Sequence, residues 1–209
     1  MRRLVTLAVA GMLLFSACSS SSGGANGTIA PPALDPSAAS ASATISQSPA
    51  PSVAASPSLS DEDWYLLAPP GNGFTARFPE QPKLTSSTTT TKAGDAPTYE
   101  WTYQASTHLV YVVGLVKYPA GSLAGVAPAT LFDLGIQGIV KSGDNATIDS
   151  QTDITLGTNP GRAFVAIDGP QTMKGRLYLV ADRMYMIFVV YDSSADTSAM
   201  DLFFADFSL

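Results

Sequence analysis

The side chains that most often carry covalent chemistry are scarce in this sequence. Its 209 residues contain one histidine, His108, and one cysteine, Cys18. A hydrolytic triad needs a base beside its nucleophile, and Ser106 and Thr107 stand next to the only imidazole. Adjacent side chains on a turn point in different directions, so this trio predicts a solvated turn. We therefore expect no catalytic residues and no enzymatic activity.

The sequence also gives no pattern for a metal or a cofactor. A zinc site needs several Cys or His ligands, which one of each cannot supply. Gly71, Gly73 and the glycines of 121–125 lack the strand, glycine-rich turn and helix that cradle a phosphate, so they predict turns. We expect no metal and no cofactor, although scattered carboxylates leave a weakly bound divalent ion as an alternative.

The segment before Cys18 indicates the role of this cysteine. Arg2 and Arg3 form a charged start, residues 4–15 form an apolar run of 12 residues, and small residues precede the cysteine. A membrane-spanning helix needs about 20 apolar residues, so this run predicts a secretory signal that is removed. An ordinary signal peptide cut between small residues is the alternative, which the bulky Phe15 fits poorly.

The residues 15–18, Phe-Ser-Ala-Cys, resemble the lipobox of bacterial lipoproteins. In that family a diacylglycerol alkylates the cysteine thiol and the leader is cut immediately before it. The resemblance implies a signal peptide over 1–17, lipidation of Cys18, and a location on the extracytoplasmic face of the cell membrane. In that family the third residue before the cysteine is usually Leu, Val or Ile, so Phe15 departs from the pattern.

A linker separates Cys18 from the rest of the chain. Residues 19–60 hold 13 Ser, 10 Ala and 6 Pro with a single charge, Asp35. Such a segment has too little apolar surface to offset the entropy of ordering, so we expect 18–60 to be a lipidated, disordered tether.

The remaining residues, 61–209, have the length of a single domain with one core. They carry nine basic and 16 acidic side chains. This acidic balance argues against a nucleic-acid partner.

Apolar patterns within 61–209 predict an antiparallel sheet with two helices. We expect strands at 64–67, 74–78, 84–92, 98–104, 109–117, 148–156, 162–168, 176–181 and 184–191. The Ser- and Thr-rich strand 84–92 is polar on both faces, which indicates an exposed sheet edge. Pro128 predicts the first residue of a helix that ends near Ser142, and Asp196 or Thr197 is expected to cap a terminal helix.

The strands 109–116 and 184–191 are apolar on both faces, so the centre of the sheet must be covered on both sides. The sequence therefore predicts an α+β fold, a central antiparallel β-sheet with α-helices packed on its faces. One helix is expected on each face. The alternative places both helices on one face and closes the other with loops.

Short motifs in 61–209 resemble the PsbP-like superfamily. They are Trp64, the stretch Gly-Phe-Thr-Ala-Arg-Phe-Pro-Glu-Gln-Pro at 73–82, Pro-Gly-Arg at 160–162, Arg-Met-Tyr at 183–185, and Phe-Phe-Ala-Asp-Phe-Ser-Leu at 203–209. The resemblance implies an α/β/α sandwich. Members act mostly as binding or assembly accessories, so it implies no reaction and no site residues.

Two functions follow as hypotheses. The first is a non-enzymatic accessory that binds an envelope protein, and the alternative is a carrier of a lipid or other small apolar ligand, which needs an unfilled interior. Two clusters are candidate contacts, each with a plainer interpretation as ordinary strand charges or core aromatics. They are the basic residues Lys174, Arg176 and Arg183, and the aromatic residues Trp64, Trp101, Tyr103, Tyr111 and Tyr118.

Overall fold

Two antiparallel sheets and two helices make up the part of the chain that the computed structural model describes, residues 63–91, 94–143 and 145–209. These residues belong to one compact unit. The predicted signal peptide over 1–17 and the predicted tether over 18–60, with its lipidated Cys18, lie outside the described residues.

The main sheet contains seven of the nine strands. In chain order the elements are β1 Tyr65–Leu67, β2 Ala76–Phe78, β3 Lys83–Thr91, β4 Gly94–Ser106, β5 Leu109–Lys117, α1 Pro128–Lys141, β6 Thr147–Leu156, β7 Asn159–Asp168, β8 Gln171–Val180, β9 Arg183–Asp192 and α2 Met200–Ala205. The strand order is β3-β4-β5-β9-β8-β7-β6, with every neighbouring pair antiparallel, while β1 and β2 form a small separate sheet. The predicted edge strand is confirmed, because β3 is the last strand on its side and is mostly exposed.

α1 covers part of one face of the main sheet. Pro128 is its first residue, where a missing backbone donor costs nothing, and Ser142 follows its last turn. The buried residues Leu131, Phe132 and Ile136 pack against strand residues such as Leu177 and Met184. This apolar layer fixes α1 over the β7 side of the sheet.

α2 and the chain end cover the other face. Phe203 is 0% exposed, and its ring lies 5.2 Å from that of Phe78 and 5.0 Å from that of Tyr111. The Thr75 backbone N–H donates to the Ser208 carbonyl at 2.9 Å, and the reciprocal bond is 3.0 Å. The helices therefore lie on opposite faces, as predicted, and the arrangement with both helices on one face is excluded.

Several local predictions were wrong. Ala199 precedes α2 without a side-chain cap, whereas Asp196 accepts the backbone N–H of Ser198 at 3.0 Å in a turn before the helix. The turn between β8 and β9 lies one residue earlier than expected, because Ala181 adopts a left-handed φ of 51° and β9 already begins at Arg183.

The start of β4 was also predicted wrongly, because β4 begins at Gly94, four residues earlier than expected. Thr90 Oγ1 donates to Asp95 Oδ1 at 2.9 Å, and Thr91 Oγ1 donates to the Gly94 carbonyl at 2.7 Å. These threonine hydroxyls extend the hairpin into residues whose composition suggested a loop.

Candidate binding surface

A groove runs between α1 and the strands β3, β4 and β5. It exists because α1 packs over the β7 side of the sheet and leaves the strands near the β3 edge without a helical cover. We call it the α1 groove. Its cavity volume is about 50 Å³, and it is lined by Ser87, Thr89, Thr91, Ala96, Thr98, Val116, Tyr118, Gly135, Gly138, Ile139, Met184 and Met186.

The two sides of the α1 groove differ in chemistry. Its floor is formed by Val116, Met184 and Met186, and methionine side chains adapt readily to the shape of an apolar guest. The wall opposite α1 consists largely of Ser and Thr hydroxyls from β3 and β4, such as Thr98. A guest can therefore place apolar groups on the floor and polar groups against the hydroxyl wall.

The wall formed by α1 is low because two of its lining residues are glycines. Gly135 is buried, and a Cβ atom added there would lie 3.4 Å from Met184 Sδ and 3.5 Å from Leu177 Cδ2. These are ordinary contact distances, so Gly135 lets α1 approach the sheet closely without being strictly required there.

Burial raises the pKa of two groups, one in the groove and one beside it. Burial raises the pKa of Tyr118 to about 12, so its hydroxyl stays protonated at neutral pH. Glu100 lies one ladder step from Thr98 on the same face of β4, and burial raises the pKa of its carboxyl. Thr102 Oγ1 donates to that carboxyl at 3.1 Å and opposes the shift. Among the described residues that line the groove, none has a charged side chain, so the groove suits an uncharged, partly apolar guest.

His108 lies beside an acid that no spacing rule selects from the sequence. His108 Nδ1 lies 2.7 Å from Asp192 Oδ2, near the surface, and Ser106 Oγ accepts the backbone N–H of His108 at 3.0 Å. The hydrogen bond from His108 and a second from the Ser194 backbone N–H lower the pKa of Asp192. The pair ties the β4–β5 turn to the end of β9, and its members are 84 residues apart in the chain.

The basic residues singled out from the sequence divide into two places. Lys174 and Arg176 approach the Phe204 ring at 5.7 and 4.9 Å, and Arg176 Nη1 also donates to the Phe204 carbonyl at 3.2 Å. Lys174 Nζ also lies 3.2 Å from Asp201 Oδ1. Lys174 and Arg176 therefore both link α2 to β8. Arg183 instead donates to the Asn72 carbonyl at 3.1 Å.

The aromatic residues are mainly core residues. Trp64, Trp101 and Tyr111 are buried on the α2 face, and the half-buried Tyr103 stacks on Tyr111 at 6.4 Å. Of the five, Tyr118 alone lines the α1 groove. The groove itself could not be read from these residues, because its position depends on where α1 packs.

Within the residues that the model describes, no group of three or more His, Cys, Asp and Glu side chains is placed to hold a metal ion. None of the helices in this part of the chain is long and apolar enough to cross a membrane.

Comparison with solved structures establishes the fold. No protein-family model and no curated protein matches the chain. The solution structure of cyanobacterial PsbP, CyanoP from Synechocystis sp. PCC 6803, is similar with a TM-score of 0.50 at 9% identity, covering 75% of this chain and 98% of that one. A Pseudomonas aeruginosa protein of unknown function gives a TM-score of 0.37 at 7% identity, covering 68% and 92%. The chain therefore has a PsbP-like α+β fold.

Proposed function

We propose that the chain is a non-enzymatic binding or assembly accessory of the cell envelope. Cys18, lipidated, anchors it to the extracytoplasmic face of the cell membrane, and the PsbP-like domain binds an envelope protein. The lipobox resemblance of residues 15–18 supports the anchor. Two or more acyl chains on one cysteine suffice for lasting attachment.

The observation that carries the binding role is the shape and chemistry of the α1 groove. It opens to solvent, its floor is formed by Val116, Met184 and Met186, and its far wall is lined with hydroxyls. A protein segment meets both needs, with apolar side chains on the floor and backbone polar groups against Thr98 and its neighbours. The partner is therefore a protein segment with little charge and alternating apolar and polar groups.

Cross-linking from the groove tests this role. A photoreactive amino acid replaces Thr98 in the full chain in living cells, and a matched variant carries it at Thr155, an exposed position on the opposite edge strand. We expect a discrete protein adduct from position 98 and none from position 155. The same adducts from both positions, or no protein adduct from position 98, would refute partner binding in the groove.

The alternative function is a carrier of a lipid or another small apolar ligand. The apolar floor of Met184 and Met186 favours it, whereas packed aromatic rings occupy the α2 face of the sheet. Native mass spectrometry of the gently purified protein separates the two functions. An added mass that is lost on denaturation supports the carrier, and the mass of the chain alone supports a protein partner.

The membrane anchor has a separate test. Cys18→Ser should release the protein from the membrane fraction, because no diacylglycerol can be attached to the serine in the same way. Retention of this variant in membranes after a salt and carbonate wash would show that the anchor lies elsewhere.

A further inference from the structure

Within the described residues, β3 is an edge strand without the protection that such strands usually carry. Its register with β4 runs without a shift from Lys83 opposite Thr102 to Thr91 opposite Gly94. Apart from Lys83 it consists of Leu, Ser and Thr, with no proline. Natural edges are normally blunted by charges, prolines, bulges or a covering element, because a regular edge pairs readily with another strand.

The opposite edge of the same sheet provides the contrast. β6 carries Asp149 and Asp153, and its register with β7 shifts between Ile148 and Ser150. Arg162 Nη2 lies 2.8 Å from Asp153 and so places further charge beside that edge. Of the two edges of the seven-stranded sheet, β3 is the one suited to strand addition.

We propose that β3 pairs with β3 of a second copy of this chain, in antiparallel orientation, to form a continuous sheet across a symmetric dimer. Overlap of all nine residues places the twofold axis at Ser87. Lys83 of each copy then lies opposite Thr91 of the other, and Thr85 lies opposite Thr89. Threonine pairs directly across antiparallel strands are favourable contacts.

The charge distribution makes β3 the edge at which a second copy is repelled least. The segment 61–209 carries nine basic and 16 acidic side chains, so two copies repel each other over most of their surfaces. From Leu84 to the end of β3 no side chain is charged, which lets the copies approach with least repulsion.

The dimer changes the setting of the α1 groove. Neighbouring antiparallel strands are related by an axis perpendicular to the sheet, so both copies present the same face on the same side. Ser87, Thr89 and Thr91 line the groove and also belong to β3. The two α1 grooves therefore adjoin across the interface and form one trough bounded by both α1 helices.

Cysteine cross-linking in the full chain, in cell membranes, tests the pairing and its register. Ser87→Cys places two thiols face to face at the axis, and a short bismaleimide should join them into a covalent dimer. The control Gln151→Cys, at an exposed position on β6, should give no dimer. The unaltered chain is treated in the same way, so that any cross-link through its own Cys18 is detected. Both substitutions are on exposed strand surface, so neither is expected to disturb folding.

A second pair of variants fixes the orientation. Two thiols from Thr91→Cys lie about 27 Å apart across the dimer at about 3.4 Å per residue, so this variant alone should not cross-link. Co-expressed with Lys83→Cys, it should give a mixed dimer.

The proposal is overturned if Ser87→Cys gives no dimer, or gives no more than Gln151→Cys. It is also overturned if Ser87→Cys joins a protein of a different mass, which would mean that another chain occupies the edge. These outcomes are distinct from those of the groove experiment, which reports adducts from Thr98.

Discussion

Gly175 offers a sharp test of how the layer beneath α1 is packed. It lies opposite Phe164 in the β7–β8 ladder, and a Cβ atom there would be 2.6 Å from Phe164 Cζ and 3.1 Å from Phe188 Cβ. Phe164 is 2% exposed, so its ring cannot move aside into solvent. Gly175→Ala therefore forces an overpacked contact that costs about 1–3 kcal/mol.

Part of that cost is offset, because removing a glycine from a strand recovers about 0.5–1 kcal/mol of conformational entropy. At the middle of these two ranges the net loss is about 1 kcal/mol, which lowers the melting temperature by about 2–4 °C for a domain of this size. Thermal unfolding followed by circular dichroism measures it. Phe164→Leu in the Gly175→Ala background should recover part of the loss by making room for the methyl group.

Gly135→Ala is the matched control. Its added Cβ meets only ordinary contacts, at 3.4 Å from Met184 Sδ and 3.5 Å from Leu177 Cδ2. Alanine is favoured over glycine in a helix by about 1 kcal/mol, so this variant should be as stable as the parent or more stable. A Gly175→Ala protein as stable as the parent would refute the packing of Phe164 across Gly175.

Three further predictions concern stability and titration. Phe203→Ala should cost about 3–5 kcal/mol in urea unfolding, because it empties a fully buried aromatic site on the α2 face; a loss below about 1 kcal/mol would contradict the packing of α2. Glu100→Gln should stabilise the protein at pH 7, because burial raises the pKa of Glu100 in the folded state and so penalises its charged form there. The advantage should shrink as the pH falls through the raised pKa and vanish below the ordinary value of 4.5, and a constant advantage would assign it to another cause. His108→Ala should raise the lowered pKa of Asp192 toward its ordinary value, which carboxyl NMR measures. In the parent, the His108–Asp192 pair stabilises the fold at pH values above the ordinary pKa of Asp, and this stabilisation is lost as the pH falls through the lowered pKa of Asp192.

Elements with strong local signals were predictable from sequence. Pro128 marked the start of α1, and the run of Ser and Thr in β3 marked an exposed edge. The strands β5 and β9 are apolar on both faces and so required cover on both, and α1 and α2 provide it. Each of these inferences rests on residues close together in the chain.

Features that depend on distant residues were not predictable. The partner of His108 is Asp192, which no spacing rule selects, and Gly175 is explained only by the ring of Phe164 on the neighbouring strand. The α1 groove depends on where α1 packs across the sheet. The sequence indicated a helix on this face without indicating which strands it would leave open.

The central claim is that a protein partner occupies the α1 groove. A comparison of two arginine variants tests this claim most directly. Thr98→Arg places a long charged side chain in the groove, whereas Thr155→Arg adds the same charge at the far edge strand. Proteins recovered with each full-length variant after gentle solubilisation are compared with those recovered with the parent. We predict that a partner is lost with Thr98→Arg and retained with Thr155→Arg. Equal recovery with both variants, when Thr98→Arg is folded, would contradict the account.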